Sequence, residues 1–159
     1  MLELLIAAAL TISVFGLVIS FMRDGNRLEK QGRLENESSR EVRQLLAEMI
    51  DGSRIGTADA IPGLRIASEV ALAEQGLAFR SAGKVVTYYR IGSSIFRRVE
   101  PDGGGSLSVM PSGGVPLLES ASAFHADFGP SGILNVSLAV ERGGLLPVEG
   151  STSIRPRNR

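Results

Sequence analysis

The sequence predicts an α+β protein: one long N-terminal helix, its first half transmembrane and its second half amphipathic, packed on an antiparallel β-sheet of about four to six strands. Three observations carry this. From Leu4 to Met22 there is no charged residue, and the only polar side chains are Thr11, Ser13 and Ser20. From Asp24 to Ile50 apolar residues recur at helical spacing among charges. From Leu77 to Val99 the pattern changes to β-branched and aromatic residues broken by short glycine-containing turns.

The apolar run comes first. At 1.5 Å per residue it forms a helix of roughly 28 Å, about the hydrocarbon thickness of a bilayer. Leu4, Leu5, Ile6, Leu10, Ile12, Val14, Phe15, Leu17, Val18, Ile19 and Phe21 are the anchoring side chains. A cleaved secretory signal has a basic start and a core of about 7–15 apolar residues. Here no Lys or Arg precedes Arg23 and the run is longer, so an anchor is expected over residues 1–22. Glu3 is the one charge in this block. A carboxylate near a membrane span persists only with a partner or a wet location, and on position alone Glu3 equally suits a place among headgroups at the positive end of the helix dipole. Arg23, Arg27, Lys30 and Arg33 all follow the span, which taken as written directs the remainder to the cytoplasm. A basic leader upstream of Met1 would reverse that orientation.

Residues 23–52 read as an amphipathic continuation of the helix. Leu28, Leu34, Val42, Leu45, Leu46 and Met49 repeat at helical spacing, and the Val42–Met49 face is expected in the core of the head. Glu29–Arg33 is a favourable i,i+4 pair worth a few tenths of a kcal/mol. Gly52 is the expected stop. Residues 53–159 form a β-rich head. Pro62-Gly63 marks a turn, and Leu64–Ala67 and Val70–Leu72 are expected as short extended pieces. Leu77–Arg80, Lys84–Arg90 and Ser94–Val99 then make a meander of two tight hairpins. The glycine-rich stretch from Asp102 to Gly114 is expected to loop around a short strand, Leu107–Met110.

Met1-Leu2-Glu3-Leu4-Leu5-Ile6-Ala7-Ala8-Ala9-Leu10 resembles the type IV pilin and pseudopilin family at its processed N-terminus, where Phe-Thr-Leu-(Ile or Leu)-Glu leads into about twenty apolar residues. The leader, the cleavage-site glycine, the Phe and the Thr are not in this sequence, and Met1 is therefore expected to be an internal methionine of a longer Gly-Phe-Thr-Met-Leu-Glu string. Further along, GKVVTYYRIGSSIFRRVEP resembles a minor-pilin and J-type pseudopilin signature of a V-x-Y strand, a turn and (Leu or Ile)-aromatic-Arg-Arg-Val. Pro116–Phe124, Ile133–Val140 and Ser151–Asn158 resemble that family's following strands and ending.

The resemblance implies a pilin-like fold and a structural role: a minor pseudopilin of a type II secretion system, or a minor type IV pilin, held in the bacterial inner membrane with its head in the periplasm. It implies that Glu3 pairs with the N-terminal amine of a neighbouring subunit during assembly. Implied partners are other minor pseudopilins or pilins, the major pilin, the inner-membrane assembly platform, and the prepilin peptidase acting upstream. The alternative is a single-pass, signal-anchored periplasmic binding domain that forms no filament.

The residues themselves carry little chemistry. Lys plus Arg and Asp plus Glu are 17 each, so no global field recruits nucleic acid. There is no cysteine, which excludes disulfides, thiolate zinc sites and thiol nucleophiles. His125, the only histidine, lies opposite the Phe124/Ala126/Phe128 face, where a solvated His–Asp contact with Asp127 is the expected role. Asp102-Gly103-Gly104-Gly105-Ser106 matches neither P-loop nor EF-hand spacing and reads as a hairpin tip. Alternation puts Arg97 and Arg98 on opposite faces, so with Tyr88 and Tyr89 they make no continuous nucleic-acid patch. The sequons at Asn36 and Asn135 carry no weight. No catalytic residue, metal site or cofactor is expected, and the chain is not expected to be an enzyme.

Overall fold

The computed structural model describes residues 2–53 and 60–157, apart from the side chains of Leu4, Leu5 and Ala8. The chain divides into two compact units, the first ending at Asn36 and the second beginning at Glu37. Helix α1, Leu2–Asp51, supplies all the described structure of the first unit and enters the second. Its end is set by Gly52, whose φ of 81° is a left-handed conformation that a side chain would disfavour. In the first unit Thr11 and Ser13 donate to the carbonyls of Ala7 and Ala9, at 2.8 and 2.9 Å, which lets a hydroxyl sit in an apolar helix without an unmet donor. Glu29 and Arg33 pair at 2.6 Å as their spacing requires.

The second unit packs the end of α1 with antiparallel sheets. Five strands, β3 (Glu69–Ala73), β4 (Gly76–Ser81), β5 (Lys84–Ile91), β6 (Ser94–Pro101) and β7 (Val115–Leu118), pair in sequence order. Three more, β8 (Ala121–Phe128), β9 (Leu134–Val140) and β10 (Val148–Ile154), form a second sheet in the order β10-β9-β8. A two-residue ribbon joins β1 (Gly52–Ser53) to β2 (Ile61–Pro62). The expected single sheet of four to six strands is therefore two sheets and a ribbon. The division falls at Glu119-Ser120, where Ser120 takes a φ of 62° and the chain leaves one sheet for the other. Bulges flank that corner, at Ile95/Phe96 opposite β7 and at Ala121/Ala123 in β8, and a bulge bends a strand where pairing must be redirected.

Other local expectations divide the same way. The Ala82-Gly83 turn has positive φ at both residues, 48° and 73°, as a two-residue hairpin needs. Val70–Leu72 lies inside β3. Leu64–Ala67, expected to be extended, is instead a 3-10 turn, Leu64–Ile66, which buries Leu64 completely. Leu107–Met110, expected to be a strand, pairs with no neighbour: its side chains cover a sheet face instead of joining an edge.

The core joins Val42, Leu45, Leu46 and Met49 of α1 to Leu77, Phe79, Val86, Tyr88 and Ile95 of the larger sheet and Phe124, Leu134, Val136 and Leu138 of the smaller. Only this last part of the amphipathic stretch is core, since Leu28 is exposed and Leu34 half-buried. Phe79 and Tyr88 stack across the strand pair with ring centres 6.3 Å apart. In β10, Gly150 lies against Val42 and Leu46 of α1.

Candidate functional site

The chain's most chemically loaded element is the start of α1. Glu3 is in its first turn, exposed, and no ion pair or hydrogen bond reaches it among the described residues. Of the anchoring residues named from the sequence, Ile6, Leu10, Ile12, Val14, Phe15, Leu17, Val18, Ile19 and Phe21 are all exposed, from 48% for Val18 to 77% for Phe21. Leu4 and Leu5 lie outside the described side chains. Nine large apolar groups are thus open to solvent on one helix, more than the singly scattered apolar residues of an ordinary protein surface. Among the described residues no helix is long and apolar enough to cross a membrane.

In the head, charged side chains serve as fasteners. Arg97, on the inward face of β6, pairs with Glu48 of α1, both largely buried. Tyr88 lies beside this pair, wholly buried. Its hydroxyl is pushed well above the usual tyrosine range, first by burial and then by the Glu48 carboxylate, with the Arg97 guanidinium opposing. The Arg97 guanidinium is close enough to act on the Tyr88 hydroxyl electrostatically, but the hydroxyl makes no hydrogen bond of good geometry. Arg142, just after β9, grips Glu41 of α1 with two bonds of 3.2 and 2.7 Å. Arg90 donates to the carbonyls of Ala121 and Ser122, the second of which is the residue that the bulge in β8 leaves without a register partner.

The loop from Asp102 to Gly114 is tied down over the outer face of the larger sheet. Arg80 pairs with Asp102 at 2.9 Å and Glu69 at 2.5 Å and donates to the Gly105 carbonyl at 2.6 Å. Arg98 donates to the Ser112 carbonyl at 2.9 Å and Tyr89 to that of Gly113 at 2.8 Å. Tyr89 stacks on Phe96 beneath the loop, ring centres 5.7 Å apart. Asp102 also accepts from the Gly104 amide at 3.0 Å, so this acidic tip is an ordinary side-chain-stabilised turn. The loop borders an open pocket of about 370 Å³ lined in part by Arg80, Thr87, Arg98, Asp102, Leu107 and Met110. Both arginines there are already paired with carboxylates, leaving no free cation to bind an anion.

No family model, curated protein or solved structure matches this chain.

Of the sequence's other chemical candidates, His125 is exposed on β8, 3.7 Å from Asp127, with no nucleophile in the contact. No cluster of three metal-binding side chains occurs among the described residues. Arg97 and Arg98 do part to opposite faces, one to the helix and one to the loop. What sequence reading missed is that these arginines, with Arg80, Arg90 and Arg142, are the head's fasteners. One signal was available: Arg97 falls on the same face as the apolar Ile95, and a charge on an inward face needs a partner.

Proposed function

We propose that the chain is a membrane-anchored structural subunit that assembles into, or primes the tip of, a pilin-like filament, as a minor pseudopilin of J type or a minor type IV pilin. The observation that carries this reading is the start of α1: an exposed apolar helix with one carboxylate, Glu3, in its first turn that has no partner among the described residues. Such a helix suits two apolar surroundings in succession, the inner membrane before assembly and a bundle of like helices in a filament core. In either, Glu3 is costly unless it meets a cation, and the N-terminal amine of a neighbour would satisfy it and fix the register of the incoming subunit. The head, with its core closed by the Glu48–Arg97 and Glu41–Arg142 ion pairs, would serve as a rigid body for contacts with neighbouring subunits. Its partners would be the other pilins or pseudopilins and the inner-membrane assembly platform.

Two measurements test this. Mass spectrometry of the native N-terminus, with and without the prepilin peptidase, should show an N-methylated residue upstream of Met1 that disappears without the enzyme. An identical N-terminus in both strains would leave an anchored periplasmic binding domain as the reading. Glu3→Ala should abolish incorporation into the filament while membrane insertion persists, and normal co-assembly of that variant would remove Glu3 from the mechanism.

A further inference from the structure

The four basic residues that follow the apolar run are not equivalent. Arg33 is paired with Glu29. Arg23, Arg27 and Lys30 are exposed on α1 and have no ion pair or hydrogen bond among the described residues. At 3.6 residues per turn, positions 23, 27 and 30 fall within an arc of about 60° on the helix surface. Asp24 lies about 90° from the middle of that arc, and Glu29 is further round and engaged by Arg33. The nearest acidic group on the same face is Glu37, almost two turns beyond Lys30. The result is a narrow stripe carrying three positive charges in a chain whose overall charge is zero.

The position of the stripe selects its ligand. Arg23 is the first residue after the charge-free run, and Lys30 lies roughly 10 Å further along the axis. That interval is close to the depth of the headgroup layer on one side of a bilayer, about 5–8 Å, and long basic side chains can reach back along the helix to fill it. We propose that Arg23, Arg27 and Lys30 form a binding stripe for the phosphates of anionic phospholipids in the leaflet where the apolar run ends. This rests on the membrane reading above and adds lipid selectivity to it. The stripe gathers anionic lipid around the unassembled subunit, and those contacts must be given up when the helix leaves the bilayer for a filament.

The test is a lipid-association measurement on the full chain. It is reconstituted in phosphatidylcholine vesicles carrying trace spin-labelled phosphatidylglycerol or, separately, spin-labelled phosphatidylcholine, and the motionally restricted fraction is compared. A basic residue near an anionic surface is worth about 1 kcal/mol, roughly fivefold in association, so a preference for phosphatidylglycerol of at least about fivefold is expected from three of them. Arg23→Gln with Arg27→Gln and Lys30→Gln should bring it to near unity. The charge-retaining set Arg23→Lys, Arg27→Lys and Lys30→Arg should keep it. Raising salt from about 0.1 to about 1 M, which shortens screening from ~10 to ~3 Å, should weaken it. Equal association of the two lipids, or a preference that survives in the glutamine variant, overturns the proposal and leaves the anchor intact. A preference seen only when an acidic partner subunit is present also overturns it, in favour of a protein contact. Failure of the wild-type chain to enter vesicles of either composition overturns the membrane reading and this proposal with it.

Discussion

Gly150→Ala should destabilise the head, against the usual sign for that substitution. In a strand interior, replacing glycine with alanine ordinarily stabilises by roughly 0.5–1 kcal/mol, because the unfolded chain has less freedom to lose. Gly150 lies outside the left-handed region, so its backbone would accept a side chain. The space would not. A Cβ there would overlap Val42 Cγ1 and come within 3.2 Å of Leu46 Cδ1, where carbon pairs prefer about 3.5–4.0 Å. Val42 and Leu46 are 1% and 5% exposed, fixed on α1 in the middle of the core, so neither can swing aside. Overpacking of this kind costs about 1–3 kcal/mol. With a urea dependence of about 2 kcal/mol per molar, the unfolding midpoint should fall by roughly 0.5–1.5 M. Tyrosine fluorescence of the full chain in a mild detergent reports it, since Tyr88 and Tyr89 are both buried. Val42→Ala removes the obstructing methyl, so the double variant should be more stable than the two single losses added together, by about 1 kcal/mol. A midpoint for Gly150→Ala equal to or above wild type, or strict additivity with Val42→Ala, would show that β10 does not lie against α1 as described.

Three further outcomes concern Glu48, Tyr88 and His125 of the head. Glu48→Gln strands the buried Arg97 guanidinium and should cost about 1–3 kcal/mol in the same urea assay, with most of that loss absent when Arg97 is also replaced. The raised Tyr88 ionisation works against stability in alkali. Above about pH 10 the unfolded chain releases a proton that the folded chain keeps, so stability should fall with rising pH by up to about 1.4 kcal/mol per unit until the folded hydroxyl also titrates. Tyr88→Phe should flatten that slope and, by removing a hydroxyl without a hydrogen bond, cost little at neutral pH. His125→Ala should change stability by less than about 0.5 kcal/mol, as measured by urea unfolding; a larger loss would give the exposed 3.7 Å contact with Asp127 a structural weight that its position does not suggest.

The elements legible in the sequence were those specified by neighbours in the chain. The helix from Leu2, its glycine stop and the Val42–Met49 core face follow from hydropathy and spacing. The hairpins around Ala82-Gly83 and Gly92-Ser93 follow from turn chemistry. What escaped depends on partners far along the chain. The single sheet became two because Ser120 turns left-handed between strands that each read correctly by alternation. Leu107–Met110 looked like a strand because its composition suits one, but Gly76 leaves room for Val109 to lie flat over the sheet, and Arg80 and Arg98 hold the loop there. The candidate site divides likewise. The apolar run and Glu3 could be read directly, while the Glu48–Arg97 and Glu41–Arg142 pairs join residues 49 and 101 positions apart, so the inward-facing charge of Arg97 could be read locally but neither partner could.

Those two pairs have a mechanical consequence. Glu41 and Glu48 are seven residues apart and therefore share a face of α1, two turns apart. One is held by Arg142, two residues past β9 of the smaller sheet, and the other by Arg97 of β6 in the larger. A pull along the helix axis within the head would thus load both attachments, and the apolar contacts between them, at the same time. Bonds loaded side by side fail together in shear at high force, whereas bonds loaded in series open one after another. A head drawn by this end of its helix would stay folded until both attachments gave way together.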